Sequence, residues 1–283
     1  VLEKIFEDSP LLIATHCEDS PTIWTNEAIF RERFGDEVPM SAHPEIRSEE
    51  ACYKSSSMAV ELAKRHGARL HVLHLSTLRE LGLFEAGPIE DKDITAEACV
   101  HHLWFDQSRY DDLGSRIKCN PAIKTSIDRE GLLQGVSTDL IDVIATDHAP
   151  HTMEEKMQSY FKAPAGLPLV QHSLQILLEF NRTNQLSLEK IVRKSSHNPA
   201  VLFGIVDRGF IREGYFADLV SIDLDKPQKI TSESLLYRCG WSPFEGESFG
   251  SSIHMTMLNG EVVFRNGWIT DTPSGKPLDF HSR

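Results

Sequence analysis

The sequence predicts an α/β fold: half of a parallel (β/α)₈ barrel, followed by a small β module. Apolar runs without alternation are joined by helical stretches, which is typical of parallel strands covered on both faces. Histidine or aspartate follows several of these runs, as at the C-terminal rim of a barrel. Four such units would also fit one lobe of a doubly wound sheet, but the rim pattern favours the barrel.

The first 76 residues contain two predicted strands and one long helix. Residues 11–16 (LLIATH) are a candidate buried strand, followed by a long polar connection. A helix is predicted from Glu49 to His66, where Gly67 supplies the C-terminal cap. Residues 70–76 (LHVLHLS) form the next strand.

The rest of the chain continues this alternation and then changes to a different pattern. Strands are predicted at 93–100 and 140–147, and helices at 169–180 and 188–194, the last capped by Ser187. From about Gly209 the residues are of strand type, interrupted by Asn-Gly at 259–260 and 266–267, a strong hairpin signal. We therefore expect a β module at the C-terminal end.

Composition limits the possible functions. The chain has 283 residues and a net charge of −13, without a cluster of Lys or Arg, which argues against nucleic acid as a partner. No stretch approaches the ~20 apolar residues that span a bilayer, so a membrane is not expected and the predicted location is cytoplasmic. The five cysteines lack CxxC spacing and are expected to be reduced thiols.

Three ligand-type side chains follow three different predicted strands. His16 ends the first strand, His74 nearly ends the second, and Asp147 ends the fourth. A lone histidine at a strand end is more often structural, but three such groups at one rim favour a Zn²⁺-type site with room for water. Period-2 geometry would let His74 and Asp147 point inward. This set indicates metal-assisted hydrolysis, with Asp147 transferring the proton.

The other histidines near these strands are expected to be structural. His101 and His102 are adjacent, so on a strand they would point to opposite faces and at most one could reach the rim. His71 lies on the face opposite to His74 by the same rule. We assign no function to these three residues.

The stretch ATDHAPHTMEEK, residues 145–156, resembles the signature of the dihydroorotases, which are cyclic amidohydrolases. The fixed positions of that signature match, from Ala145 through His151 to Lys156. THCED (15–19), HLST (74–77), TAEACVHHL (95–103), CNPAIK (119–124) and FKAPAGLP (161–168) also resemble family motifs, with Val100, Ala122 and Lys124 as departures. The Lys124 departure bears on the loop after Asn120. The resemblance covers essentially the whole chain.

The resemblance implies a C-terminal portion of such an enzyme, with residues 1–205 forming barrel strands five to eight and 206–283 forming part of a β-sandwich. His16 and His74 would bind one metal ion, and Asp147 would bind the other and shuttle the proton. Asn120 and His151 would hydrogen-bond the substrate, together with the backbone near Ala163 and Gly166.

Several ligands of the implied site have no counterpart in this sequence. The chain has no H-x-H, no arginine two residues after it, and no bridging carboxylated lysine or aspartate from the fourth strand. Two Zn²⁺ ions are expected in the complete site, so we expect the native chain to be longer.

The implied reaction is the reversible hydrolysis of L-dihydroorotate to N-carbamoyl-L-aspartate in pyrimidine biosynthesis. Two alternatives stay open. The chain could be another cyclic amidohydrolase, such as an allantoinase or hydantoinase, or a non-catalytic scaffold, and the missing H-x-H is the reason to consider the scaffold. The partners expected from the family are this small-molecule substrate and a second copy of the chain in a homodimer.

Overall fold

Four short strands form a parallel sheet in sequence order. The computed structural model describes residues 1–271 and 275–281. The strands are β1 (Ile13–Thr15), β2 (Leu70–Val72), β3 (Ile94–Cys99) and β4 (Val143–Ala145), each hydrogen-bonded to the next. Ile13 pairs with Leu70, Leu70 with Ile94, and Glu97 with Val143. All of β2 is buried, as expected for a strand covered on both faces. A closed barrel remains a prediction.

Helices connect these strands and continue along the chain. Their bounds are α1 (Leu2–Asp8), α2 (Ser20–Phe34), α3 (His43–Ile46), α4 (Glu49–His66), α5 (Val100–Trp104), α6 (Tyr110–Leu113), α7 (Ser126–Ser137), α8 (Met153–Lys156), α9 (Ser173–Arg182), α10 (Leu188–Val192) and α11 (Asn198–Phe203). No helix among the described residues is long and apolar enough to cross a membrane.

Helix α4 has the predicted bounds, and its caps explain them. The Ser48 hydroxyl accepts a hydrogen bond from the Ala51 N–H, and Gly67 ends the helix in the left-handed conformation. Helix α10 begins at the predicted Ser187 cap. Helix α9 begins four residues later than predicted, at Ser173.

The predicted long connection between the first strand and α4 is wrong, because it contains α2. The Asp19 carboxylate accepts hydrogen bonds from the N–H and hydroxyl of Thr22 and so caps this helix. A buried cluster packs under it, comprising Ile23, Val38, Ala42, Ile46, Ala51 and Tyr160, with Phe30, Phe34, Met40 and Phe161 at its edge.

The prediction that His101 and His102 lie on a strand is also wrong. Strand β3 ends at Cys99, and both histidines lie in α5. In a helix, neighbouring side chains are about 100° apart rather than on opposite faces. Their rings are therefore able to approach, and their centroids lie 4.1 Å apart.

Contacts between residues divide the chain into two units. The first contains residues 1–171 and 236–243, and the second contains 172–235 and 244–283, of which 272–274 and 282–283 lie outside the described residues. This division differs from the domain boundary predicted at 205–206, which remains a prediction.

The second unit contains the predicted β module. Strands β5 (Leu219–Asp223), β8 (Ser252–Leu258), β9 (Glu261–Arg265) and β10 (Trp268–Ile269) form an antiparallel sheet, and β6 (Gln228–Lys229) pairs with β7 (Ser248–Phe249). Asn259 and Gly260 both have positive φ and connect β8 to β9, as the Asn-Gly pair predicts. The second pair connects β9 to β10.

Candidate active site

His16 and His74 follow neighbouring parallel strands and face each other at their carboxyl ends. His16 Nδ1 lies 3.1 Å from His74 Nε2, and the two rings meet edge to face. Two nitrogens bound to one tetrahedral Zn²⁺ at about 2.0–2.1 Å would be separated by about 3.3 Å. The two imidazoles therefore have the separation of a pair of metal ligands.

A buried carboxylate orients the His16 ring. Glu18 Oε2 lies 3.1 Å from His16 Nε2 and also accepts a hydrogen bond from Arg47. Burial acts to raise the pKa of Glu18, but the hydrogen bond from His16 and the charges of Arg47 and Lys124 outweigh it, so the pKa lies below its usual value. An ionised Glu18 favours the tautomer that leaves His16 Nδ1 free to bind a metal.

His74 is held in an unusual backbone conformation. Its φ is 37°, which is rare for a residue other than glycine, and its N–H donates to Glu97 Oε1 over 3.3 Å. Burial lowers the pKa of His74, the nearby His16 lowers it further, and the charges of Asp147 and Glu97 act against this. The neutral ring is the form that binds a metal ion.

His71 and Glu97 support this arrangement from the buried side. His71 is fully buried, with Nδ1 lying 2.9 Å from Thr95 Oγ1 and Nε2 lying 3.1 Å from Glu97 Oε2. Glu97 therefore links the His71 ring to the His74 backbone. Sequence reasoning gave Glu97 no role, although it lies within the TAEACVHHL stretch.

Asp147 lies beyond the end of β4 and is exposed, with a φ of 47°. Its charge acts to raise the pKa of His74. Both residues come two positions after their strands end, so the period-2 argument for their orientation is wrong. The left-handed turn at each residue sets its direction instead.

The residues predicted to bind substrate lie in loops of the same unit. Asn120 Oδ1 is buried and has no hydrogen-bond partner among the described residues. His151 Nε2–H donates to the Ala165 carbonyl over 3.2 Å, and the His151 carbonyl accepts a hydrogen bond from Trp241 Nε1 over 2.7 Å. His151 is thus anchored on both sides, with Nδ1 on the other edge of its ring.

Two buried lysines hold the loop that contains Ala163 and Gly166. Lys156 Nζ donates to the carbonyls of Lys118, Pro164 and Gly166 at 2.9–3.1 Å. Lys118 Nζ donates to the carbonyls of Tyr160 and Ala163 at 2.6 and 2.7 Å. Burial lowers the pKa of each lysine to about 8. Sequence reasoning assigned neither a role, although Lys156 is a fixed position of the matched signature.

Gly166 is required by a close approach of two chain segments. Its φ is 138°, and a Cβ built there would lie 2.4 Å from the Ala149 carbonyl oxygen and 3.2 Å from His151 Cδ2. Another residue would push the 163–166 loop away from His151.

His148 and His151 line a cavity of about 530 Å³, together with Thr152, Glu155, Tyr237 and Arg238. His148 Nδ1 accepts a hydrogen bond from the Leu169 N–H over 2.9 Å, and its ring stacks on Tyr237. His148 is therefore held in place beside His151.

Lys124, a departure from the family motif, is buried. Its ammonium group donates to Ser76 Oγ over 2.9 Å and to the Ala122 carbonyl over 3.1 Å. The loop after Asn120 is therefore tied to the segment that follows His74.

Comparisons with known proteins show the family to which the chain belongs. The profile of the amidohydrolase family matches residues 3–263. The chain is 37% identical to a dihydroorotase of Halobacterium salinarum, over 81% of this chain and 52% of that protein. It is 34% identical to a dihydroorotase of Staphylococcus epidermidis, over 89% of this chain and 58% of that protein. The chain thus spans little more than half the length of these relatives.

Two solved structures share the fold. An L-hydantoinase from Arthrobacter aurescens superposes with a TM-score of 0.88 at 26% identity, over 95% of this chain and 61% of that one. A D-hydantoinase from Thermus sp. superposes with a TM-score of 0.85 at 19% identity, over 95% and 61%, and this likeness concerns the fold alone.

Proposed function

Because the chain belongs to the amidohydrolase family, we propose that its site serves the metal-assisted hydrolysis of a cyclic amide, and that the substrate is L-dihydroorotate. The observation that carries this proposal is the 3.1 Å separation of His16 Nδ1 and His74 Nε2 at the ends of neighbouring strands. The identities of 37% and 34% to proteins named dihydroorotase support the choice of substrate.

The donor set fits a divalent ion of the zinc type. Imidazole nitrogens and a carboxylate are ligands that Zn²⁺ accepts, and Glu18 orients His16 as an outer-shell carboxylate does. His16 and His74 would hold one ion, and Asp147 would bind the other. A bound ion of this kind supplies a nucleophile at neutral pH and polarises the amide carbonyl.

Asp147 is the proposed acid–base group. It is exposed at the strand end and is free to accept a proton from the attacking water. In hydrolysis its carboxyl group would pass this proton to the departing ring nitrogen. In ring closure the same group would remove the proton from the carbamoyl nitrogen, as microscopic reversibility requires.

The substrate carboxylate distinguishes dihydroorotate from an unsubstituted hydantoin. The proposed hydrogen-bond donors to it are Asn120, through Nδ2, and His151, through Nδ1 of the doubly protonated ring, and Arg238 adds positive charge to the cavity beside His151. The backbone near Ala163 and Gly166 would contact the ring. This part of the loop is held in place by Lys118 and Lys156.

Hydrolysis of a different cyclic amide is the second candidate, supported by the superposition with the L-hydantoinase. Purified full-length protein loaded with Zn²⁺ should be assayed with dihydroorotate, allantoin and hydantoin. We expect turnover of dihydroorotate and its loss in Asp147→Asn. If only hydantoin is turned over, hydantoin replaces dihydroorotate as the proposed substrate. If no compound is turned over and no metal is bound, the chain is a non-catalytic scaffold instead.

The proposal extends to the complete protein. We propose two Zn²⁺ ions per complete site, a closed (β/α)₈ barrel with residues 1–205 as its C-terminal half, and a β-sandwich to which 206–283 contribute. The protein would act in the cytoplasm as a homodimer in pyrimidine biosynthesis, without binding nucleic acid.

A further inference from the structure

A second group of metal-ligand side chains lies at the junction of β3 and α5. It consists of Cys99, His101 and His102, which have exposed fractions of 0%, 1% and 3%. One ligand atom from each side chain lies within 4.8 Å of the others. This Cys-His-His cluster contains none of the residues proposed above to bind metal.

The local chain path brings the three side chains together. Cys99 is the last residue of β3, and Val100 begins α5, so the chain turns from strand to helix at this point. His101 and His102 lie in the first turn of α5, where their rings are 4.1 Å apart and tilted by 40°. A thiol and two imidazoles therefore converge within four consecutive residues.

Three of the four imidazole nitrogens of this cluster lack hydrogen-bond partners among the described residues. Among the described residues, neither ring nitrogen of His101 has one, and neither does His102 Nδ1. Buried nitrogens are normally paired, because leaving one unpaired loses its interaction with water. Three unpaired nitrogens beside one buried thiol point to a small bound species.

The other nitrogen of His102 indicates which atom would bind. His102 Nε2 lies 3.0 Å from the Pro121 carbonyl, which can only accept, so this nitrogen carries the hydrogen. The lone pair is then on Nδ1, the unpaired atom. Metal-bound histidines commonly donate their other N–H to a backbone carbonyl in this way.

We propose that Cys99, His101 and His102 form a second metal site that binds one Zn²⁺-type ion separately from the His16 and His74 site. A thiolate with two imidazoles is a ligand set that suits Zn²⁺ and Co²⁺, and it excludes Mg²⁺ and Ca²⁺, which require oxygen ligands. On binding, the S–H bond of Cys99 is broken, its proton passes to solvent, and a sulfur–metal bond forms.

A second buried thiol lies beside the cluster. Cys119 lies at the edge, with Sγ 3.9 Å from His102 Nε2 and 3.2 Å from the Pro121 carbonyl, and it supports the ring of His102.

The sulfur ligand makes this site distinguishable from the active site. The proposed active site contains only nitrogen and oxygen ligands, so a near-ultraviolet charge-transfer band of a thiolate bound to Co²⁺ would not come from that site. Metal-free full-length protein should be titrated with Co²⁺ and this band recorded. We expect it to saturate at about one ion per chain, as for a single structural site.

Matched cysteine variants identify the ligand. Cys99→Ser should abolish the band, whereas Cys52→Ser, a change at another cysteine with an exposed fraction of 0%, should retain it. His74→Ala should also retain the band while losing bound metal at the active site. A band that survives Cys99→Ser would overturn the proposal.

One measurement needs no variant and so covers the case in which Cys99→Ser does not fold. X-ray absorption of the zinc-loaded wild-type protein should show sulfur at about 2.3 Å from part of the zinc. A spectrum with nitrogen and oxygen neighbours alone would overturn the proposal. Neither measurement uses catalytic activity, so this result is independent of the proposed function.

Discussion

Replacing Lys156 by methionine tests whether a buried ammonium group holds the 163–166 loop. Lys156 has an exposed fraction of 0%, and its Nζ is bonded to three backbone carbonyls. Methionine has a similar length and fills much of the same space without donating a hydrogen bond. The variant therefore leaves the carbonyls of Lys118, Pro164 and Gly166 without this donor.

The magnitude follows from two opposing terms. The Lys118 carbonyl also accepts a hydrogen bond from the Gly166 N–H, so the variant leaves two carbonyls unpaired, those of Pro164 and Gly166. An unpaired buried carbonyl costs about 2 kcal/mol, so two cost about 4 kcal/mol. Burial lowers the pKa of Lys156 from 10.5 to about 8, so methionine removes a burial cost of about 3 kcal/mol for the charged form. We expect a net decrease of about 1 kcal/mol in the free energy of unfolding.

Denaturant unfolding of the wild-type protein, Lys156→Met and Lys162→Met measures this difference. Lys162 is an exposed lysine near the same loop, so its variant should stay within about 0.5 kcal/mol of the wild type. Lys156→Met should also raise KM for dihydroorotate more than it lowers kcat, because the loop shapes the pocket. If Lys156→Met is as stable as Lys162→Met, the loop does not depend on this ammonium group.

Two further predictions concern the candidate site, and a third concerns the stability of the fold at acid pH. Gly166→Ala places a Cβ 2.4 Å from the Ala149 carbonyl oxygen at a φ of 138°. We therefore expect a loss of about 2–4 kcal/mol in the free energy of unfolding and a higher KM. In the control Gly275→Ala, the added Cβ meets no atom within 4 Å, so this variant should be nearly as stable as the wild type. Asp147→Asn should lower kcat for dihydroorotate at least about 100-fold while circular dichroism and thermal unfolding stay unchanged, and near-normal turnover would remove Asp147 from the mechanism. Burial lowers the pKa of His43 to about 3 from 6.5, so its contribution to stability is present above pH 6.5 and is lost as the pH falls toward 3. Between pH 7 and 5 this loss is about 2 kcal/mol. Denaturant unfolding of the wild type and His43→Gln at pH 7 and pH 5 measures this loss, which the variant should lack. An equal loss of stability in the two proteins would contradict the assignment of this effect to His43.

Local signals predicted the elements whose ends depend on their own residues. Helix α4 begins at the Ser48 cap and ends at Gly67 as expected, because both caps act within one turn. The hairpin at Asn259 and Gly260 follows from the left-handed conformation that both residues adopt readily. Helix α2 was missed although Asp19 and Pro21 mark its start, because its apolar residues do not form a clear stripe.

Predictions that depended on strand length were less successful. Strands β2 and β4 end two residues before His74 and Asp147, so alternation along the strand could not set the directions of these side chains. Strand alternation was also applied to His101 and His102, just after the predicted strand 93–100, although the chain enters α5 at Val100. Hydrophobic pattern alone does not show where a strand becomes a helix.

The sequence by itself determined the residue types of the site, the order of the strands that present them and the family to which the chain belongs. It could do so because ligand chemistry and the alternation of strands and helices are properties of the chain alone. Only the tertiary structure decided that His16 and His74 face each other at 3.1 Å, that Lys118 and Lys156 hold a loop by its carbonyls, and that Cys99, His101 and His102 converge. These contacts depend on backbone direction at strand ends and on burial, which are set by packing between segments far apart in the chain.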